Sequence, residues 1–139
     1  MFANVSVWGV LLAALSAMMV GTLWYQKDLL GKTWMKLAGI DQKGMNDRAK
    51  TAFPILIAVS LVTAYALAQV TAFAYALAGG SWMGTAVFAG LLCGIGFGAT
   101  AVFAHGVFEP RDYKLMYINA GNRVVTLLVM GLVLGLFHR

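Results

Sequence analysis

The sequence predicts an all-α integral membrane protein: four transmembrane helices in one antiparallel bundle, with a short interfacial helix in the first loop. Three observations carry this. The 139 residues are 61% hydrophobic and only 11% charged, with a mean hydropathy of +0.81, whereas a soluble domain is nearer half apolar and a quarter charged. Four stretches are apolar over the roughly 20 residues that a bilayer core requires. The charges are gathered into two of the loops between them. Strands are not expected, because no stretch alternates with period two and a membrane barrel needs about eight strands.

The first span is expected at residues 5–25. No Lys or Arg precedes Lys27 and the apolar run continues to Tyr25, so a membrane helix is expected here rather than a cleaved leader. In the loop that follows, GKTWMKLAGI sets Trp34, Leu37 and Ile40 at helical spacing beside Lys32 and Lys36, the pattern of a helix lying on a membrane surface. The second span is expected at residues 52–77. Asn46 or Asp47 is placed to cap it, and Pro54 marks either its first turn or a kink. Gly79-Gly80-Ser81 is an uncharged turn into the third span, residues 82–106. Glu109-Pro110-Arg111-Asp112 reads as a turn into the fourth, residues 115–137.

Orientation follows from charge. The first and third loops lie on the same side and hold eight of the ten Lys and Arg residues, which makes that side cytoplasmic and puts both termini outside. Membrane lipids are the expected contact of this basic surface; nucleic acid is not. The aromatics follow the same frame. Trp8 and Trp82 fall at the outer interface, with Trp24, Tyr25, Tyr113 and Tyr117 at the inner one and Trp34 on the surface helix.

In lipid, helices associate where small residues let backbones approach. Gly90, Gly94 and Gly98 form one stripe on the third span, and Gly131 and Gly135 a second on the fourth. Both are expected at helix contacts.

The candidate site lies at the basic end, in FEPRDYKLMYINAGNR. Asn119, Asn122 and Arg123 share one face of the fourth helix. A charge so far inside a span is costly against lipid tails. The expectation is therefore a buried cluster of His105, Glu109, Asp112, Asn119, Asn122 and Arg123, with Arg123 paired to Glu109 or Asp112. No metal or other cofactor is expected. His105 and His138 are the only histidines and fall on opposite sides of the membrane, and Cys93 is the single cysteine. There is no phosphate loop, no Cys-x-x-Cys, and no nucleophile with a base in reach, so an enzyme is not expected.

Leu23-Trp24-Tyr25, followed by Gly31-Lys32-Thr33-Trp34-Met35 and Leu37-Ala38-Gly39, together with the closing YINAGNRVVTLLVMGLVLGLF, resembles a family of small bacterial membrane proteins, the domain-of-unknown-function family 1761. The resemblance implies a four-helix protein of the bacterial inner membrane and supplies no activity. The expected role is that of a structural or interaction protein, either a homo-oligomer or an accessory subunit of a membrane complex. A small oligomeric transporter or channel and a lipid-binding protein are the alternatives.

Overall fold

A computed structural model describes residues 2–138. It is all-α: five helices, four of them long and apolar enough to cross a membrane. The protein is a multi-pass membrane protein.

Helix α1 spans Val7–Trp24. It starts after Ser6, whose hydroxyl accepts from the Gly9 N–H at 3.2 Å, so Val5 lies ahead of the cap. Tyr25 is the C-cap. The chain then turns through Lys27–Gly31, where Leu29 leaves helical geometry and the Gly31 N–H donates to the Gln26 carbonyl at 2.8 Å. Gly31 is required there. A Cβ would collide with the Tyr25 carbonyl oxygen and lie 2.7 Å from that of Gln26.

Helix α2, Lys32–Ala38, ends at Gly39 in the left-handed conformation, φ 69°. Helix α3, Gln42–Ala78, runs unbroken for 37 residues, about 55 Å at 1.5 Å per residue. It begins ten residues before Ala52 because Asp41 caps it, accepting from the Gly44 N–H at 2.7 Å. Neither Asn46 nor Asp47 is the cap; both lie within the helix, as does Pro54. The bilayer core is about 30 Å thick, so a helix of this length carries its charged first turns clear of it.

Gly79 and Gly80, at φ 67° and 86°, turn the chain into helix α4, Trp82–Gly106, capped by Ser81. Within α4, Gly94–Ala99 form a π-helical segment. Helix α5 spans Tyr113–Leu136, and Asp112 caps it by accepting from the Lys114 N–H at 2.8 Å.

Helix α5 touches every other helix, packing most extensively on α4 and α1, while α3 packs on α1 and α4. The core consists of Ala13, Ala14, Ala17, Ala64, Leu67, Ala68, Ala89, Met130 and Leu134. Six of these nine are alanines, as close packing in lipid favours. Most lie in the half nearer the termini. On the other side of Ala64, the α3 residues Phe53–Val59 are all exposed, Ile55 by 60%. The charged-end half of α3 is thus little covered, although Leu115, Met116 and Ala120 of α5 are buried at that end. Gln69 links the terminal end to the segment ahead of α1: its Oε1 accepts from the Ala3 N–H at 2.8 Å and its Nε2 donates to the Ala3 carbonyl at 3.0 Å.

Candidate polar site at the charged end

Three aromatic donors from the α1–α2 junction meet one turn of α5. The Trp24 Nε1–H donates to the Ile118 carbonyl at 3.1 Å. The Tyr25 hydroxyl and the Trp34 Nε1–H both donate to Asn119 Oδ1, at 2.9 and 3.0 Å. The Tyr25 and Trp34 rings stack edge-on, 5.6 Å between centroids. Helix α2 is therefore pinned to α5 by an indole hydrogen bond, and Asn119 is the shared acceptor. Gly121 leaves room for this arrangement, since a Cβ there would stand 3.1 Å from Trp24 Cζ2. Tyr25 lies just past the end of the α1 span. Burial pushes its hydroxyl above the ordinary value, and the nearby Arg123 guanidinium acts in the opposite sense.

The next turn carries two unpaired groups. Asn122 is 9% exposed, and its Nδ2 has no hydrogen-bond partner among the described residues. Arg123 is exposed, with its Cβ packed beside Gly98, and no ion pair engages it among the described residues.

The remaining expected members of the cluster lie elsewhere. Glu109 pairs with Arg111 Nε at 2.9 Å, both side chains about half exposed, so the expected Arg123–Glu109 pair is not formed. The physical reason is local. Helix α4 ends at Gly106, the chain turns, and Arg111 is two residues from the carboxylate and already in solvent. Asp112 is engaged in capping α5 and likewise does not pair with Arg123. His105 is exposed near the end of α4. Among the described residues, no three of His, Cys, Asp and Glu come together as metal ligands would.

The glycine stripes face each other across α4 and α5. A Cβ on Gly90 would strike the Leu127 carbonyl oxygen, and one on Gly131 that of Ala86. Gly94 lies against Val124 and Gly135 against Met83. At the terminal end, Trp82 Nε1–H donates to the Leu134 carbonyl at 3.1 Å and its ring meets Tyr75 and His138 edge-on. Trp8, Tyr113 and Tyr117 are exposed, Tyr117 edge-on to Phe103. Two shallow apolar grooves mark the α1–α3 surface, one bordered by Val5, Val10 and Tyr65, the other by Met18, Thr22 and Phe53.

The sequence model of the family described as "Protein of unknown function (DUF1761)" matches residues 8–135. The chain belongs to the DUF1761 family. The match takes in the whole site, from Trp24 on α1 to Arg123 on α5. No curated protein and no solved structure matches this DUF1761 chain.

What sequence reasoning missed at the site is the aromatic side of it. Tyr25 and Trp34 were expected only as interface anchors, yet they are the partners of Asn119. A signal was present. Trp34 carries an N–H that needs an acceptor when buried, and Gly31 is a small residue where α2 must fold back.

Proposed function

We propose that this membrane protein is an interaction protein rather than a catalyst, and that it associates with a second copy of itself through the outer face of α4. The supporting observation is a second line of small residues, Gly96, Thr100 and Ala104, all exposed. The Thr100 hydroxyl donates to the Gly96 carbonyl at 2.6 Å, which stacks the two on one line and satisfies the hydroxyl within its own helix. A Cβ added to Gly96 would meet nothing within 4 Å. Small residues four apart on a lipid-facing surface permit close helix approach. The Gly90–Gly94–Gly98 stripe, by contrast, is already occupied by α5. The four-helix unit closes its own core and leaves a second seam open. A homo-oligomer uses that seam with no further component, and an accessory role in a larger complex would use the same face.

The test is Gly96→Leu, sized in a mild detergent by light scattering and melted in parallel. The expected result is a wild-type oligomer, and a variant of monomer size with unchanged melting temperature. A monomeric wild type, or a variant that keeps the wild-type size, would overturn the reading.

A further inference from the structure

One turn beyond Asn119, the donors of Asn122 and Arg123 are left without an acceptor or a paired acid among the described residues. Asn119 Oδ1 already accepts two bonds, from Tyr25 and Trp34, and its amide N–H groups take no part in either. Asn122 Nδ2 is buried and unpartnered. Arg123 brings five N–H donors and a positive charge, and no carboxylate pairs with it among the described residues. These residues stand at i, i+3 and i+4 of one helix, within an arc of about 100°. Acids are not lacking at this end of the molecule. Asp47 pairs with Lys50, Glu109 with Arg111, and Asp41 and Asp112 cap helices, so four of the five are engaged away from the site. A buried amide donor left without an acceptor is destabilising, and an unpaired charge within a span is costly. Such a face is complete only with an acceptor that carries negative charge and several oxygens.

From these observations the structure assigns a phosphate-binding site to Asn119, Asn122 and Arg123. The guanidinium presents two parallel N–H groups to phosphate oxygens, and the two side-chain amides donate to the rest. Its depth points to the phosphodiester of an anionic membrane lipid. Asn119 is level with the end of α1, where Trp24, Tyr25 and Trp34 gather as aromatic residues do at the headgroup boundary. Arg123 is four residues, about 6 Å, further into the span, and its long side chain reaches back to that level. The Tyr25 hydroxyl feels its charge. At the charged half of the bundle, Phe53–Val59 of α3 are exposed and apolar, a surface that acyl chains can cover. A free phosphate ion offers the same oxygens without the chains.

The experiment uses the full chain in a non-ionic detergent and reads the melting temperature with three probes at matched concentration: dioleoylphosphatidylglycerol, dioleoylglycerol and inorganic phosphate. Phosphatidylglycerol is expected to raise the melting temperature and dioleoylglycerol to leave it unchanged. Arg123→Gln, at an exposed position, is expected to abolish the rise. Asn122→Leu is expected to melt no lower than wild type without lipid, because it removes an unpaired buried amide, and to show a smaller lipid-induced rise. A purely structural asparagine would not separate those two readouts. An equal rise with inorganic phosphate would support the site and identify its ligand as the free ion. No rise with any phosphate probe, or a rise of wild-type size in Arg123→Gln, would overturn the assignment, the second because it locates the attraction in the basic loops.

Discussion

Trp34 and Asn119 are joined by a 3.0 Å indole-to-amide hydrogen bond across 85 residues of chain. With the Tyr25 hydroxyl on the same oxygen, one side chain of α5 bonds both the residue that ends α1 and the indole of α2. Asn119→Leu therefore strands two donors, whereas Trp34→Phe or Tyr25→Phe removes only one bond. Each aromatic change is expected to cost about 0.5–1.5 kcal/mol and the asparagine change about 1–3 kcal/mol or more. Denaturant melts in detergent would show the order. Equal losses for all three would mean the oxygen is not the shared acceptor.

Gly90 and Gly131 are in backbone contact, each Cβ position 3.3 Å from the other residue's Cα. No side chain can enter without moving α4 from α5, so Gly90→Ala and Gly131→Ala are each expected to destabilise by about 1–3 kcal/mol. The two are neighbours, so the double variant is expected to lose less than the sum of the single losses. Thermal stability of the three variants checks this, and an unchanged Gly90→Ala would refute the contact.

Glu109 belongs to Arg111 rather than to Arg123. Exposed pairs contribute little, about 0–1 kcal/mol. Glu109→Gln is expected to be nearly silent, and its effect to add to that of Arg123→Met within about 0.5 kcal/mol. A coupling well above that in a double-mutant cycle would restore the buried pair that this geometry lacks.

The uneven division of bases predicts membrane orientation. Reporters fused at each terminus, active only outside the cytoplasm, are expected to be active at both ends. The loop carrying α2 is expected to be modified only by reagents acting from the cytoplasmic side. A terminal reporter active only in the cytoplasm would invert the molecule.

The four spans and the all-α class were legible because apolar length in lipid leaves little choice. Two kinds of feature were not legible. The first was helix ends governed by a single cap: Asp41 rather than Asn46 or Asp47 starts α3, and nothing in the apolar pattern separates three capable residues within seven positions. The second was pairing at the charged end. Depth along the sequence made Arg123 seem to need an acid, but which acid is free depends on where the α4–α5 turn sends Glu109, and that turn gives it to Arg111. Asn119, Asn122 and Arg123 were found from helical spacing alone. Their aromatic partners depend on α2 folding back at Gly31, a tertiary event without a periodic signature.

The unequal anchoring of α3 gives it the mechanics of a hinged arm. Its buried residues, Ala64, Leu67, Ala68, Gln69 and Thr71, act as a fulcrum near the terminal end. From Ala64 back to Gln42 the arm is about 33 Å long, so a tilt of about 10° sweeps its tip through about 6 Å. That tip follows α2 after only Gly39, Ile40 and Asp41. A swing of α3 within the bilayer would thus reach α2 and the Trp34 indole, which bonds the same asparagine that stands one turn before Arg123.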